Sequence, residues 1–304
     1  MTTASQTYTE QDVEAFFDET LGTYLSFWDA DGVLHTGYFT GERDEDYRAA
    51  SARTSEILAE YAEIDSSSSV LDVGCGCGNF LIELAQRFGC RGVGLDLSSE
   101  RIAFAKRKLA GAGGLDVEFR HGSATRMPFR PDTFSHVVSQ DALFLVPEKP
   151  TTHREVFRVL RPGGLFAFSD FLQPKQEVSE RARKHVYDRV RWNGGYSLAG
   201  YQAALEQAGF DIVLGLDLAS HLKQTYRVLG RTAAERAESI VSTASTASTA
   251  DPADTTSTVD TAAARDWMLA FAESCKQLQI AIADGEFGWG MIVARKPAGR
   301  GAAR

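Results

Sequence analysis

The stretch that decides the fold is Leu71-Asp72-Val73-Gly74-Cys75-Gly76-Cys77-Gly78. It joins a short apolar strand, predicted at residues 70–73, to a helix predicted at residues 80–88. Glycine has no Cβ atom, so three alternating glycines let the chain turn sharply and let a ligand approach the backbone. The start of the helix leaves N–H groups unpaired. The stretch therefore predicts a strand–turn–helix unit that binds a ligand at its turn.

Strands and helices alternate along the rest of the chain. Short apolar strands are predicted at residues 70–73, 93–96, 117–119, 134–139, 165–169, 210–216 and 290–295. Such runs are typical of strands that are buried on both faces, and their alternation with helices favours a parallel sheet. We expect an α/β protein with a Rossmann-like, seven-stranded, mostly parallel sheet, helices on both faces, an N-terminal cap and helical insertions.

Composition divides the chain into four parts. Residues 1–50 are rich in aromatic side chains and turn formers and are predicted to form a cap or lid. Residues 51–241 are predicted to form the core, and residues 265–304 to add a helix and the last strand. Within the core, Ser98 or Ser99 is predicted to cap a helix, and a polar helix is predicted at residues 177–190. Residues 242–264 consist almost wholly of Ser, Thr, Ala and Asp. Such a segment buries too little apolar surface to compensate for ordering, so it is predicted to be a disordered linker.

Charge and composition exclude several partners. The 304 residues carry a formal net charge of −9 and no run of lysine or arginine, so we expect no nucleic-acid partner. No stretch reaches the roughly 20 apolar residues of a membrane span, and no signal peptide is evident. Cys75-x-Cys77 lacks a second ligand pair at zinc-finger spacing, so no metal is expected. We expect a cytoplasmic protein that acts on a small molecule; its oligomeric state is not predicted.

Two classes of ligand use a glycine turn of this kind. A dinucleotide requires Gly-x-Gly-x-x-Gly, because its pyrophosphate lies on the helix N-terminus. Here the third glycine comes one residue early, and Asn79 occupies the position that this pattern requires. Asp96 ends the next predicted strand about twenty residues on, where a carboxylate can accept both ribose hydroxyls of either cofactor class.

The Gly-x-Gly-x-Gly turn after Asp72 resembles motif I of the class I S-adenosylmethionine-dependent methyltransferases. Residues 122–129 (GSATRMPF) resemble the segment of that family that contacts adenine, with Ser123 in place of the usual aspartate. Arg161-Pro162-Gly163-Gly164 resembles the family's turn before the fifth strand. The resemblance implies a methyltransferase with S-adenosyl-L-methionine as its cofactor. It implies a cofactor site formed by Asp72, Gly74, Cys75, Gly76, Gly78, Asp96, Leu97, Ser123, Ala124 and Gln140.

Weaker similarities extend over most of the chain outside residues 242–264. Residues 28–38, 50–54, 139–141, 198–201 and 288–290 resemble the sarcosine/dimethylglycine N-methyltransferases, although those enzymes have Leu-His where this chain has Leu143-Phe144. An amine nitrogen is therefore the leading hypothesis for the methyl acceptor. C- or O-methylation of a natural product, lipid or isoprenoid is the alternative. A nicotinamide-dependent oxidoreductase and a non-catalytic binding protein with this fold are alternatives from other classes.

The acceptor residues are predicted from the chemistry of an amine. Methylation makes an amine cationic, and an aromatic ring stabilises a cation over its face by roughly 0.5–2 kcal/mol. We therefore expect acceptor contacts from Tyr24, Trp28, Tyr38, Asp141, Phe144, Trp192, Tyr196 and Tyr201, with Trp289 a further aromatic candidate. His35 and His221 are the candidate catalytic bases, because imidazole titrates near neutrality. Core packing, or an ordinary hydrogen bond for the histidines, is the competing role at each position.

Overall fold

The computed structural model describes residues 7–27, 29–41, 45–246 and 261–299, and a seven-stranded sheet runs through this part of the chain. The strands are β1 Ser69–Val73, β2 Arg91–Asp96, β3 Val117–His121, β4 Phe134–Gln140, β5 Leu160–Leu172, β6 Asp211–Asp217 and β7 Gly288–Arg295. Their order is β3-β2-β1-β4-β5-β7-β6. Strands β1 to β5 run parallel to one another, and β7 is antiparallel to both β5 and β6. The predicted mostly parallel, Rossmann-like sheet is confirmed.

Helices cover both faces of this sheet. They are α1 Glu10–Phe27, α2 Tyr47–Tyr61, α3 Asn79–Phe88, α4 Ser99–Ala112, α5 Lys149–Val159, α6 Glu180–Ala182, α7 Leu198–Gln207, α8 Ala219–Thr246 and α9 Thr261–Ala283. Side-chain caps begin several of them, because an oxygen before the first turn can accept an otherwise unpaired N–H. Ser98 Oγ accepts the N–H of Arg101 (3.2 Å), as the sequence predicts, and Ser197 Oγ accepts that of Gly200 (3.1 Å).

The core lies in two layers, one on each side of the sheet. Successive side chains of a strand point to opposite faces. In β5, Ala167 accordingly belongs to one buried cluster with Leu81 of α3, while Phe168 belongs to the other with Leu205 of α7. All five residues of β1 are buried, as expected for a central parallel strand.

The strand order reverses between β1 and β4, and this reversal positions the site. In open parallel sheets, ligands bind in the crevice outside the carboxyl ends of the strands at such a reversal. The glycine turn leaves β1 at this point, and Gln140 and Asp141 lie at the end of β4. Helix α1 lies over the same edge, within hydrogen-bond reach of the loops after β2 and β3.

Three predicted segments differ from the structure. The cap is largely a single helix, α1, and α2 begins at Tyr47, inside the predicted cap. The polar helix predicted at residues 177–190 is instead three short turns, α6 followed by a π turn at Arg183–Tyr187 and a 3-10 turn at Asp188–Val190.

The predicted linker at residues 242–264 is helical at both ends. Helix α8 continues to Thr246 and α9 begins at Thr261, while residues 247–260 lie outside the described part of the chain. The two helices pack on each other through buried residues such as Leu229 and Leu278. Once such a packed section exists, each further residue adds a backbone hydrogen bond at little cost, so composition alone misplaces the helix ends. Among the described residues, none of the helices has both the length and the apolar character of a membrane span.

Candidate cofactor and acceptor site

One cavity opens at the carboxyl ends of β1, β2, β3 and β4 and is covered by α1. Loop residues 72–77, 95–98, 122–124 and 140–147 line its floor and walls. Glu10, Val13, Glu14, Phe16, Phe17 and Tyr24 of α1 line its cover. The cavity therefore lies at the sheet edge where the strand order reverses.

The glycine turn is held directly against β2. The N–H groups of Gly74 and Cys75 both donate to the carbonyl of Leu95, at 2.7 and 3.1 Å. Gly74 has φ +75°, and a Cβ atom there would lie 2.3 Å from the Cβ of Ala142. A larger residue would therefore push the turn into the floor of the cavity.

The third glycine has a different role from the one predicted. Gly78 does not line the cavity. It has φ +79°, and a Cβ atom there would lie 2.5 Å from the ring of Phe119. This glycine permits close packing of α3 on the sheet, so it supports the site without contacting a ligand. The nine other predicted cofactor residues all line the cavity: Asp72, Gly74, Cys75, Gly76, Asp96, Leu97, Ser123, Ala124 and Gln140.

Asp96 is fixed at the end of β2 by two backbone donors. Gly76 N–H donates to one carboxylate oxygen (2.7 Å) and Ser98 N–H donates to the other (2.9 Å). The two oxygens of a carboxylate offer about four lone-pair positions, so two remain available. This geometry fits a vicinal diol such as a ribose, which is the role that the sequence predicts for Asp96.

Asp72 adds a second carboxyl at the floor of the cavity. It is 2% exposed. Burial, together with the nearby charge of Asp96, raises the pKa of Asp72 to about 8. A cation bound beside such a carboxyl would favour its ionised form. The pair therefore fits a ligand that carries both ribose hydroxyls and an ammonium group.

Three carboxylates of α1 hold the cover in place. Glu10 accepts a hydrogen bond from Ser123 Oγ (2.8 Å), and Asp18 accepts one from Ser99 Oγ (3.3 Å). Glu14 lies 3.1 Å from the ring of His121. Ser123, the residue that replaces the family's aspartate, is thus bonded to α1.

Asp141 organises the other end of the cavity. Its carboxylate accepts three hydrogen bonds, from Thr36 N–H (2.6 Å), Ser169 Oγ (2.7 Å) and Trp289 Nε1 (2.7 Å). Residue 141 has φ +49°, a left-handed conformation that Asp tolerates better than most residues. The loop that carries His35 is thereby fixed to the ends of β4, β5 and β7.

His35 lies against the cavity beside this carboxylate. Its Nδ1 is buried and has no hydrogen-bond partner among the described residues. Burial lowers the pKa of His35, and the charge of Asp141 opposes this only in part. The imidazole is therefore neutral at pH 7 and has an acceptor nitrogen available, as a general base requires.

His221, the other predicted base, does not line the cavity. Its Nδ1 accepts the N–H of Phe39 (3.1 Å), and its ring stacks on Tyr38 with 4.0 Å between centroids. His221 and Tyr38, both predicted site residues, therefore pack α8 against the loop after α1. Core packing and an ordinary hydrogen bond explain their positions.

The predicted aromatic contacts divide into two groups. Tyr24 and Phe144 line the cavity, whereas Trp28 lies outside the described residues. Trp192, Tyr196 and Tyr201 do not line it. Trp192 stacks on Tyr187 (4.4 Å between centroids), and the hydroxyl of the fully buried Tyr201 donates to Asp170. Tyr196 packs edge-on against the ring of Tyr201 (5.0 Å). Trp192, Tyr196 and Tyr201 therefore pack behind the cavity wall. Trp289 has a similar supporting role through its hydrogen bond to Asp141.

A buried lysine and a buried aspartate support the loop at residues 143–147, which lines the end of the cavity beside His35 and Asp141, the acceptor end. Lys149 Nζ donates to the carbonyls of Phe144 (2.7 Å) and Val146 (2.9 Å), while Asp170 accepts the N–H of Phe144 (3.0 Å). Burial lowers the pKa of Lys149 to about 8 and raises that of Asp170 to about 7. These bonds fix both sides of the loop backbone.

Among the lining residues that sequence reasoning missed are four at the acceptor end and one at the cofactor end that come from distant segments. Phe171, Arg189, Val190 and Tyr226 come from β5, the turn after α6, and α8, and Arg101 comes from the first turn of α4. None belongs to a motif with characteristic spacing. Only the packing of distant segments reveals them.

Comparisons with known proteins agree with this geometry. Residues 70–164 match a protein family described as a methyltransferase domain. A sarcosine/dimethylglycine N-methyltransferase of Halorhodospira halochloris is 29% identical over 236 residues, which are 77% of this chain and 80% of that protein. A sterol 24-C-methyltransferase of Eremothecium gossypii is 33% identical over 190 residues, which are 60% of this chain and 50% of that protein. The chain spans half or less of the length of the phosphoethanolamine and sterol methyltransferases that it matches.

Solved structures share the fold over nearly the whole chain. The crystal structure of the [4+2]-cyclase SpnF has a TM-score of 0.76 at 20% identity and covers 96% of this chain and 98% of that one. A candidate sarcosine dimethylglycine methyltransferase from Galdieria sulphuraria has a TM-score of 0.75 at 19% identity and covers 92% and 99%. A cyclase thus shares the fold, so the fold alone does not decide the reaction.

The domain match, in contrast, covers the glycine turn, the carboxylate of Asp96 and the loop after β4. These are the features on which the sequence-based identification rests. They lie within the match, which confirms a methyltransferase domain at residues 70–164.

Proposed function

We propose that this protein transfers a methyl group from S-adenosylmethionine to a small-molecule acceptor, and that the acceptor atom is an amine nitrogen. The relatives include enzymes named for the N-methylation of sarcosine, dimethylglycine and phosphoethanolamine. The bound sulfonium supplies an already activated methyl group. The chain must then hold a nucleophile in line, about 3–3.5 Å from it, and exclude water.

The two ends of the cavity would bind the cofactor and the acceptor separately. Asp72, the glycine turn and Asp96 would hold the cofactor through backbone and carboxylate contacts. His35, Asp141 and Phe144 face the other end and would orient the acceptor. Helix α1 closes over both, which supports exclusion of water.

The observation that carries the choice of an amine is the unpaired Nδ1 of His35. An amine attacks only in its neutral form, so the proton of an ammonium acceptor must leave before the methyl group arrives. His35 is neutral because burial lowers its pKa, and its free nitrogen can take this proton. The methyl group then forms a bond to nitrogen while its bond to sulfur breaks and leaves a neutral thioether.

The alternative is C- or O-methylation of a natural product or isoprenoid. The acceptor end also has an apolar wall formed by Leu145, Val146, Pro147, Phe171 and Val190, and one relative is a sterol 24-C-methyltransferase. An apolar acceptor would pack on this wall.

We further propose a cytoplasmic location and no nucleic-acid partner. All four cysteines are free and buried, which is typical of a reducing compartment. The net charge of −9 disfavours a polyanionic partner.

The test is mass spectrometry of products from a mixed acceptor pool. The purified chain would be supplied with S-adenosylmethionine together with sarcosine, dimethylglycine, phosphoethanolamine, a phenol and geranyl diphosphate. We expect an amine to gain one methyl group per turnover. Methylation of the phenol or the isoprenoid alone would refute the amine proposal, and no product from any acceptor would refute methyl transfer to these classes.

A further inference from the structure

An arginine that pairs with no carboxylate among the described residues lies in the wall of the acceptor end. Arg189 stands in the 3-10 turn Asp188–Val190 and lines the cavity. Its Nε is buried and has no hydrogen-bond acceptor among the described residues. Arg158, in contrast, pairs with the carboxylate of Glu155 (2.7 Å). A buried charged donor without a partner is costly, so such a group points to a ligand that completes it.

The titratable groups of α8 and α9 on which Arg189 acts are neutral, so they do not compensate its charge. Tyr226 of α8 lines the same wall and is 5% exposed. Arg189 acts to lower the pKa of Tyr226, although burial outweighs this and raises it, and it acts in the same way on Cys275 of α9. Asp141 is the carboxylate on this side of the cavity, but it already accepts three hydrogen bonds.

A second arginine, Arg101, lies at the cofactor end, and its buried Nε and Nη2 likewise have no acceptor among the described residues. Arg101 lies beside the glycine turn, with Nη1 3.8 Å from the position of a Cβ at Gly76, and it stacks on Phe17. Burial raises the pKa of Cys77, and the charge of Arg101 opposes this in part. Arg189 instead acts on groups of α8 and α9, which pack behind the acceptor end. The two cations therefore serve different ends of the cavity.

We propose that Arg189, assisted by the hydroxyl of Tyr226, binds an anionic group of the methyl acceptor, a carboxylate or a phosphate. A guanidinium presents a planar fork of donors that matches either group, and the enclosed wall strengthens the pairing. This inference rests on the proposed function and narrows it. The acceptor carries an anion at a distance from its nucleophilic atom, so neutral acceptors bind poorly.

The first experiment compares Arg189→Met with the matched variant Arg231→Met, which removes a charge from the exposed surface of α8. Calorimetry would measure binding of sarcosine, sarcosinamide, phosphoethanolamine and ethanolamine to the protein saturated with S-adenosylhomocysteine. We expect Arg189→Met to weaken sarcosine or phosphoethanolamine binding at least about tenfold. We expect Arg231→Met to change it less than about twofold. A larger loss of affinity for sarcosine than for phosphoethanolamine identifies a carboxylate as the bound group. A larger loss for phosphoethanolamine identifies a phosphate.

Three results would overturn the proposal. They are equal loss of binding for the anionic probes and their neutral analogues, unchanged binding of every probe, and a loss of S-adenosylhomocysteine binding in Arg189→Met. The last would assign Arg189 to the cofactor. Misfolding is controlled by thermal unfolding, because removal of a half-buried cation that has no ion pair among the described residues should leave Tm unchanged or higher. Arg189→Lys keeps the charge without the fork and should lose less affinity than Arg189→Met.

A second measurement needs no turnover and so separates this proposal from the proposed function. The ¹⁵N Nε–H resonance of Arg189, assigned by its absence in Arg189→Met, would be followed while inorganic phosphate or acetate is added to the cofactor-product complex. A saturable shift that is absent in the Arg189→Met spectrum supports the anion site even if no acceptor is methylated. No shift with either anion would refute the site while leaving methyl transfer intact.

Discussion

The cofactor end and the acceptor end of the cavity are built in different ways. The cofactor end uses residues 72–77, 95–98 and 122–124, which follow three neighbouring strands within one stretch of the chain. Its central contacts are backbone N–H groups held on Leu95 and Asp96. The acceptor end joins His35, Asp141, Arg189 and Tyr226, which lie far apart in sequence.

The difference shows which parts of a site a sequence motif can encode. A turn that needs glycines and a carboxylate at fixed spacing leaves a local signal, because the same few residues make the contacts. The acceptor end depends on long-range side-chain bonds, such as that from Trp289 to Asp141 across 148 positions. Substitutions in the two ends should therefore have different effects.

The largest effect is expected at the cofactor end. Asp96→Ala removes a carboxylate that is fixed by Gly76 and Ser98 and faces the cavity. Two charged hydrogen bonds to a ribose are worth roughly 1.5–3 kcal/mol each, so we expect about a thousandfold weaker S-adenosylmethionine binding by calorimetry. Asp116→Ala, at an exposed position before β3, is the matched control and should bind normally. An unchanged dissociation constant for Asp96→Ala would show that the ribose lies elsewhere.

The second prediction concerns the pH dependence of the acceptor end. His153 is buried behind it, and burial, with the nearby charges of Lys149 and Arg154, lowers its pKa to about 4. The folded value lies below the ordinary 6.5 or so, so the neutral form is favoured in the folded state. The contribution of neutral His153 to the free energy of unfolding is therefore fully present above pH 6.5. It decreases by about 3 kcal/mol as the pH falls from 6.5 through 4.

Urea unfolding between pH 7 and 4 measures this loss. His153→Gln should lose less stability over that interval than the wild type, whereas His185→Gln, a half-buried histidine of the π turn, should follow the wild type. Identical pH profiles for the wild type and His153→Gln would contradict the assignment.

The third prediction separates the two candidate bases. His35→Gln removes the imidazole that lines the cavity, and general-base catalysis typically contributes about 10²-fold or more, so kcat should fall by about a hundredfold. His221→Gln leaves the cavity unchanged and should alter kcat by less than about twofold, because His221 contacts Tyr38 and Phe39 outside the cavity. Steady-state kcat values of the two variants with the best amine acceptor test this prediction. Equal losses in the two variants would exclude His35 as the specific base.

The smallest effect is expected from the bonds of Asp141. Asp141→Asn keeps the left-handed backbone accessible but removes one acceptor oxygen and the charge. We expect the free energy of unfolding to fall by about 2 kcal/mol, measured by urea denaturation. Trp289→Phe removes a single donor and should cost about 1 kcal/mol. A larger loss in Trp289→Phe than in Asp141→Asn would mean that indole packing, rather than the carboxylate, holds the acceptor end together.

The sequence by itself determined the sheet and the cofactor end. Apolar runs separated by helices predict parallel strands, and the predicted strands coincide with β1 to β7 within a few residues, apart from the longer β5. The glycine turn and Asp96 were identifiable because both are constrained by local backbone geometry. Residues at which only one residue type fits, such as Gly74 with its close neighbour Ala142, leave a pattern that does not depend on distant segments.

Only the tertiary structure decided the acceptor end. Trp192 and Tyr201 are as aromatic as Tyr24 and Phe144, yet the former pair is buried behind the cavity and the latter pair lines it. Arg189 and Tyr226 carry no motif. The physical reason is that apolar and aromatic side chains serve core packing and ligand contact equally well. Their role follows from the direction in which each helix packs, and this is set by the whole fold rather than by neighbouring residues.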